Sequence, residues 1–521
     1  MFYTLDWIII GLYCIGIISL ATYVSRKKAG SERSAEDYFL AGRSLPWWAI
    51  GASLIAANIS AEQIIGMSGQ GFVVGMAIAV WELTAAIALI VMAKFFLPLF
   101  LEKKIYTMPQ FLEQRFDKRV SLVLSFFWLT VYIFVNLTAV LWLGSLAINT
   151  LTGMSLVNGM ILLAFLSLAY SLSGGLKAVA MTDIVQVVLL IFGGLAVSYI
   201  ALTKIGDGSI TTGMVQVYQQ MPEKFDMILS PDNPSYNNLP GIWILIGAGV
   251  WIGHFAYWGF NQYITQRALG AKSLKEAQKG VMFAAYLKLL MPLVIVLPGI
   301  CAAILFPVLD KTDQAYPTMM IELLPSGLLG LTFAALIAAI VSSLASMTNS
   351  ISTIFTMDIC RSFSKNEIQQ SSLILIGRSA VVGSMLIALV MAKPILGNSD
   401  QIFQYIQNFT GLFTPGILVI FLVALFWKKA TALSVLVAAI LSVVMSIFIQ
   451  VSFPDFPYIH RMGVVFFASG MGCYLTSFAQ GYLDQEKAID LNGINFKTSK
   501  AFNVNSLIIV SILTLIYVTL G

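Results

Sequence analysis

Long apolar stretches recur from one end of the chain to the other, separated by short polar loops. A helix needs roughly 20 apolar residues to cross a bilayer, and the chain holds about 14 such stretches. This pattern predicts an all-α polytopic membrane protein with about 14 transmembrane helices. The predicted spans are 6–25, 47–75, 79–101, 119–149, 155–173, 181–203, 240–267, 280–306, 328–358, 371–391, 403–427, 431–451, 460–480 and 504–520.

Two of these spans, 47–75 and 240–267, are too long for a straight crossing and carry glycine and polar residues at mid-span. Each opens a block of five helices, and an odd number of spans inverts the second block relative to the first. Paired broken helices in inverted repeats indicate a transport site at the membrane midplane. The predicted division of the single membrane domain, 1–521, is a leading helix at 6–25, a first repeat at 47–203, a second repeat at 240–427 and extra C-terminal helices at 431–520.

The composition agrees with a membrane protein. Of the 521 residues, 58% are hydrophobic and only 11% are charged, whereas soluble domains carry roughly a quarter charged residues. The first apolar run precedes its basic residues, so it is predicted to be a span rather than a cleaved signal. The two histidines and the absence of HExxH, GxSxG or Walker patterns argue against an enzyme, and no cofactor motif is present.

The net charge of +5 matters less than its distribution over the loops. Lys and Arg concentrate in alternate loops, which the positive-inside rule makes cytoplasmic. Both termini are then predicted outside, and the location is predicted to be the plasma membrane, the inner membrane of a bacterium. Charges spread over short loops do not form a face for nucleic acid. The basic loops include Arg26, Lys27, Lys28, Arg33, Lys104, Arg115, Lys177, Arg267, Lys365 and Lys428.

A polar cluster interrupts the first long span. The stretch "AANISAEQIIG" places Asn58, Ser60, Glu62 and Gln63 within six residues. Polar residues often join helices in membranes, but four in six exceed the needs of one helix contact. The cluster therefore favours a functional break, and Glu62 has no assigned role.

Two ionisable residues lie deep inside other spans. Glu82 stands in "AVWELTAAIALI" and Lys288 in "FAAYLKLLMPL". An intramembrane charge is costly and marks a functional site by default. Pairing of Glu82 with Lys288, directly or across a ligand, is the prediction, and the alternatives are a purely structural pair and snorkelling of the lysine.

Hydroxyl-bearing and acidic residues suggest a cation path. The stretch "AALIAAIVSSLASMTNS" carries Ser342, Ser343 and Ser346 on one helix of small residues. Hydroxyls and the free carbonyls of a broken helix would form an oxygen cage for a hard cation, although small residues also allow close helix packing. Asp183, near the end of a span, is expected either to attract an exiting cation or to cap a helix start.

Further candidates suit a polyol. Gln407 both donates and accepts hydrogen bonds. Aromatic side chains inside the spans are predicted to stack on a sugar ring or to close a gate, and the alternative for each is ordinary packing. These aromatics are Trp81, Tyr257, Trp258 and Phe403.

The chain resembles the sodium:solute symporter family, and within it the sodium/sugar branch. The segment "YSLSGGLKAVAMTD" at 170–183 is similar to the family signature around a Gly-Gly pair. The likeness extends over almost the whole chain through the segments 36–69, 257–280, 334–359 and 403–429. It implies a LeuT-type five-plus-five inverted repeat with extra flanking helices.

The resemblance also implies roles, position by position. It makes Asn58, Gln63, Glu82, Lys288 and Gln407 partners of sugar hydroxyls. Tyr257 would cap the sugar from the inner side with Asn261 as its support, and Met67, Trp81 and Phe403 would form the outer lid. The implied sodium ligands are Ser342 and Ser343 with the carbonyls of Ala56, Ile59 and Ala339.

The expected function is therefore sodium-driven symport of a neutral sugar, with sodium as the coupling ion and no other cofactor. Two departures bear on the substrate: His254 replaces an Asn and Ala85 replaces a Ser of the galactose-carrying member. His254 is kept among the solute-binding candidates. The alternatives are symport of another small solute, such as inositol, sialate or an amino acid, and a sugar-binding sensor or channel of the same fold.

Overall fold

The fold is a bundle of helices, and the described part of the chain contains no β-strand. The computed structural model describes residues 2–25, 40–103, 105, 107–364 and 368–521. The principal helices are Thr4–Ser25, Trp47–Asn58, Glu62–Val73, Met76–Glu102, Met108–Arg115, Lys118–Thr152, Leu156–Ile205, Ile210–Gln220, Gly249–Phe260, Gln262–Leu269, Leu274–Leu305, Ala315–Leu323, Leu328–Phe363, Gln370–Leu396, Ile402–Thr410, Thr414–Phe426, Ala432–Ser452, Tyr458–Ala479 and Lys500–Leu520.

Within these ranges, nine helices are long and apolar enough to cross a membrane, or up to eleven if each bent pair is one span. Two shorter apolar helices, Thr4–Ile17 and Leu156–Ala169, match two further predicted spans. The interrupted segment from Trp243 to Leu269 matches the last one. Every span expected from hydropathy therefore has a helical counterpart.

The helical run Leu156–Ile205 serves two of the predicted spans. Leu163 and Ile340 lie together beside Gly144, and Asp183 bonds Ser342, only two residues further along the partner helix. The two halves, Leu156–Ala169 and Val179–Ile205, therefore both pass the same level of the helix Leu328–Phe363. Such a path corresponds to two crossings rather than one.

The first long span is broken where the sequence places its polar cluster. We call Trp47–Asn58 with Glu62–Val73 the first broken helix, and its halves meet at 60°. Ile59 is extended at φ −81° and ψ 92°, which frees backbone groups that a continuous helix would pair. Gln63 accepts hydrogen bonds from the backbone and the hydroxyl of Ser60, and the Glu62 N–H donates to that hydroxyl. Part of the cluster thus satisfies the break itself.

The second long span is interrupted at Gly247 and Ala248, which follow the helix Trp243–Ile246, and it is broken again further on. Gly249–Phe260 is a continuous helix, preceded by Ala248 in a left-handed conformation with φ 68°. The break falls at Asn261, which is extended and whose side chain accepts from the Tyr263 N–H. We call Gly249–Phe260 with Gln262–Leu269 the second broken helix. The Asn261 side chain stabilises the break, because it accepts a hydrogen bond from a backbone N–H that has no helical partner at the start of the new helix.

Close packing positions the first broken helix against Leu274–Leu305. A Cβ on Gly51 would lie 2.6 Å from the carbonyl oxygen of Gly280. A Cβ on Gly280 would lie 2.7 Å from the Trp47 oxygen. Only glycine allows these backbones to approach so closely, and this approach brings Lys288 to the level of the break.

The charge pattern used to predict sidedness is only partly described. Arg26, Lys27, Lys28, Arg33, Lys104 and Lys365 lie outside the described residues, as does the side chain of Lys177. Arg115 and Arg267, counted as loop bases, are 3% and 1% exposed. Their burial shows that they serve internal contacts, which corrects their assignment to solvated loops.

Candidate functional site

A cavity of about 110 Å³ lies where the two broken helices meet. Its wall includes side chains from the first broken helix, from Met76–Glu102, from the second broken helix, from Leu274–Leu305 and from Ile402–Thr410. The predicted solute and gate residues all line it: Asn58, Gln63, Met67, Trp81, Glu82, His254, Tyr257, Trp258, Asn261, Lys288, Phe403 and Gln407. The fold thus brings together residues that are up to about 350 positions apart in the sequence.

Glu82 and Lys288 form a direct ion pair in the cavity wall. The Nζ of Lys288 lies 2.6 Å from Oε2 of Glu82, and both side chains are at most 2% exposed. Lys288 also donates to Asn58 Oδ1 and lies 5.2 Å from the centroid of the Trp258 ring. The opposite charges of the pair compensate each other. Because Lys288 contacts both Glu82 and Asn58, it links three helices at one point.

The amide of Asn58 continues this network toward the phenols. Its Nδ2 donates to the Tyr257 hydroxyl at 3.2 Å, which in turn lies 2.8 Å from the Tyr263 hydroxyl. Asn261, the expected support of Tyr257, accepts from the hydroxyl of Tyr132 at 2.8 Å and caps the second half-helix. Its effect on Tyr257 therefore passes through the placement of Tyr263.

His254 is held by a residue that sequence reasoning missed. Its Nε2 lies 2.8 Å from the Thr84 hydroxyl, and Trp81 meets its ring edge-on at 5.5 Å between centroids. Trp81 and Thr84 are three residues apart, a spacing that puts both on one helical face. This three-residue spacing from Trp81 was the sequence signal that could have identified Thr84.

The outer-lid candidates pack against the first broken helix. Met67 is 1% exposed and Phe403 is 3% exposed. A Cβ on Gly66 would meet the Phe403 Cβ at 3.1 Å. The Phe403 side chain therefore packs directly against the backbone of the half-helix Glu62–Val73. Gln407, one turn later, lines the same cavity.

The sodium-ligand candidates converge on the break from the other side. The Ser343 hydroxyl donates to the Ala56 carbonyl at 3.4 Å, and Ile59 and Ala339 are fully buried. Ser342 instead donates to Asp183 Oδ1, which leaves its oxygen lone pairs available to a cation. Hydroxyl and carbonyl oxygens are the ligands that hard cations prefer.

Asp183 lies at the centre of a buried polar network. It accepts from the Ser53 hydroxyl at 2.5 Å and from Ser342, and Arg267 stands 3.8 Å from its Oδ2. Arg267 also donates to the Ser53 carbonyl at 2.9 Å and to the Ser346 hydroxyl at 2.5 Å. Asp183 is therefore not a helix cap, and Arg267 is a functional candidate that its place beside a span end concealed.

Glu62 also lines the cavity. Its side chain is 8% exposed and lies close to the side-chain amide of Asn136, which lines the same cavity. One carboxylate oxygen, Oε1, is buried without a hydrogen-bond partner among the described residues. Asn136 lies in the predicted span 119–149 but carried no sequence signal of its own.

Comparisons with known proteins support the resemblance to the sodium:solute symporter family. The model of the sodium:solute symporter family matches residues 38–440. The chain is 45% identical to the sodium/glucose cotransporter of Vibrio parahaemolyticus, over 98% of this chain and 97% of that protein. It is 35% identical to an uncharacterized symporter of Escherichia coli, over 83% and 77%, and 30% identical to the human sodium/myo-inositol cotransporter 2, over 81% and 66%.

Solved structures agree on the fold. A Na⁺-coupled sialic acid symporter in a substrate-bound outward-open state superposes with a TM-score of 0.80 at 22% identity, covering 92% of this chain and 98% of its own. A nucleobase-cation-symport-1 family transporter superposes with a TM-score of 0.57 at 15% identity, covering 91% and 99%. The expected LeuT-type fold is confirmed.

Proposed function

The chain belongs to the sodium:solute symporter family, and on that basis we propose that it carries a neutral hexose, of the galactose or glucose kind, into the cell together with sodium. One observation carries the proposal. The first broken helix supplies Asn58 and Gln63 to the cavity and, at the same break, the Ala56 carbonyl to Ser343. A change in the geometry of this break would therefore alter the binding of both sodium and the sugar.

The chemistry of the cavity suits a neutral polyol. The Glu82–Lys288 pair offsets its own charge, yet the carboxylate and the ammonium retain capacity for hydroxyl groups. Amides at Asn58, Gln63 and Gln407 both donate and accept. We assign these five residues to sugar hydroxyls, with His254 and Asn261 as further polar lining.

The aromatic and apolar side chains would close the cavity on either side of the sugar. Tyr257 is assigned to the inner side, where its hydroxyl is fixed by Asn58 and Tyr263. Met67, Trp81 and Phe403 are assigned to the outer lid, and Trp258 to the floor beneath Lys288. The outer-lid side chains and Trp258 are buried, whereas Tyr257 is only partly buried.

Sodium is assigned to the oxygens of Ser342 and Ser343 and to the carbonyls of Ala56, Ile59 and Ala339. No group of three or more His, Cys, Asp or Glu suited to a metal ion occurs in the described ranges. An uncharged oxygen cage is consistent with a weakly held monovalent ion that must leave again. Asp183, bonded to Ser342, stands where it would attract the exiting cation.

Coupling follows from linkage between the two ligands. If sodium binds the outward-open arrangement better and completes the sugar site, each ligand raises the affinity for the other by the same factor. The membrane potential adds about 2.3 kcal/mol per charge per 100 mV. No covalent step is required, so we regard the protein as a carrier and not as an enzyme. We place it in the plasma membrane, as the bacterial inner membrane, with both termini outside.

Two alternatives are kept open by particular observations. The human relative is named a sodium/myo-inositol cotransporter, so a cyclitol is the nearest competing solute. An acidic solute is disfavoured because Lys288 is already paired with Glu82. A sensor or channel of the same fold would bind sugar without exchanging it across the membrane.

A sugar panel in proteoliposomes tests the proposal. Labelled hexose uptake is measured in sodium, with unlabelled galactose, glucose, inositol and sialate as competitors, and counterflow is measured with preloaded vesicles. We expect competition by a hexose and clear counterflow. Competition by inositol or sialate alone would reassign the solute, and absence of counterflow would favour a sensor or channel.

A further inference from the structure

The described wall of the cavity holds two carboxyl groups, and Glu62, unlike Glu82, has no cationic partner there. Its Oε1 is buried and without a hydrogen-bond partner among the residues that the structure describes. The polar side chain close to it, that of Asn136, is an uncharged amide. The side chain is more than nine-tenths buried and lines the solute cavity.

The remaining charged groups around the cavity are already engaged. Lys288 is bonded to Glu82 at 2.6 Å and to Asn58. His254 is bonded to Thr84, and its ring is covered by Trp81. Within the described wall of the cavity, an ionised Glu62 therefore adds one uncompensated negative charge.

The position of Glu62 directs this charge toward the solute. It begins the π-helical turn Glu62–Met67, beside the break whose backbone needs are met by Ser60 and Gln63. The carboxylate is not used to satisfy the break, because only the backbone N–H of Glu62 takes part. Its oxygen is thus left for a group that enters the cavity.

An unpaired buried carboxylate is costly, and a cation or a strong donor brought by a ligand would relieve that cost. Resting on the proposed function, we infer that Glu62 is a specificity-determining residue that binds a donor group of the solute and favours a primary ammonium. The substrate class then includes 2-amino-2-deoxy hexoses as well as neutral hexoses. A hydrogen bond to a charged group contributes roughly 1.5–3 kcal/mol, or about 10- to 100-fold in affinity.

The test compares competitors of labelled hexose uptake at about pH 7, where an ordinary amine of pKa about 8 is still mostly protonated. The measured quantity is the ratio of inhibition constants for the 2-amino-2-deoxy hexose and its parent hexose. In the wild-type protein the amine should compete at least as well as the hexose. In Glu62→Gln the ratio should move at least 10-fold against the amine, while the exposed control Glu223→Gln leaves it unchanged.

Two results would overturn the inference. One is a wild-type protein in which the amine competes no better than the corresponding 2-deoxy hexose, a measurement that needs no variant to fold. The other is an unchanged ratio in Glu62→Gln. If the wild type takes up no hexose at all, the proposed function fails instead; thermal stabilisation of purified wild type and Glu62→Gln by the amino sugar then tests Glu62 separately.

Discussion

Replacing Lys288 by Met removes the cation that holds Glu82 inside the membrane domain. The two groups are 2.6 Å apart and at most 2% exposed, so the substitution leaves a buried, uncompensated carboxylate. Breaking such a pair costs about 3–5 kcal/mol, and the lost hydrogen bond to Asn58 acts in the same direction. Lys288→Met should therefore lose roughly that much free energy of unfolding and all sodium-driven uptake.

The double variant Glu82→Gln/Lys288→Met separates stability from function. Removing both charges removes the cost of the unpaired one, so most of the lost free energy of unfolding should return. Uptake should not return, because the carboxylate and the ammonium assigned to sugar hydroxyls are both still missing. The matched control is Lys279→Met, whose partner Glu276 is 3.8 Å away and where the lysine is 51% exposed. Its loss should stay within about 1 kcal/mol.

The assay is reversible unfolding of the purified protein in mixed micelles, with uptake measured on the same preparations. The reasoning is refuted if Lys288→Met is as stable as the control variant. It is equally refuted if the double variant is no more stable than Lys288→Met, since the cost would then not arise from the unpaired charge.

Three further predictions concern other parts of the site. Ser343→Ala should raise the sodium concentration for half-maximal uptake with little change in sugar preference, and a normal sodium dependence would exclude Ser343 as a ligand. Gly253→Val should weaken sugar uptake, because a Cβ there lies 3.2 Å from the Trp81 ring; wild-type transport kinetics would show that the ring position is unimportant. Outside the membrane, burial raises the pKa of Asp313 to about 7, so the folded state binds a proton that the unfolded state releases between pH about 4 and 7. Stability should fall as pH rises through this window, by up to about 1.4 kcal/mol per pH unit for one proton. Asp313→Asn should flatten this dependence relative to the wild-type protein, and an unchanged slope would contradict the assignment.

Hydropathy and local composition predict much of this fold. The spans follow from apolar length, and the first break follows from the polar cluster at Asn58 to Gln63. The break is local, because Ser60 and Gln63 satisfy each other within four residues. The second break was predicted only to lie within the segment 240–267, since its glycine and polar content does not reveal that the Asn261 side chain caps a new helix.

Partners from distant helices were harder to predict, apart from the pair of intramembrane charges Glu82 and Lys288. Arg267 ends a predicted span and has the sequence context of an interfacial base, yet it meets Asp183, 84 positions earlier in the chain. Thr84 and Asn136 are ordinary residues for membrane helices. Their roles arise only from the neighbours that the tertiary fold provides, His254 and Glu62.

The serine helix shows the same limit at shorter range. Ser342 and Ser343 are adjacent, so the sequence alone does not distinguish between them as sodium ligands. In the structure they point to different partners, Ser343 to the Ala56 carbonyl and Ser342 to Asp183. Adjacent helical residues point about 100° apart, so only the packing decides which one faces the break.

Sodium-gradient accumulation in proteoliposomes tests the central claim most directly. Labelled hexose is supplied outside, and its internal concentration is followed with an inward gradient of sodium or of choline. The account predicts accumulation above the external concentration in sodium, collapse of that accumulation when the gradient is dissipated, and none in choline. Equal hexose levels on both sides in sodium, or the same accumulation in choline, would contradict it.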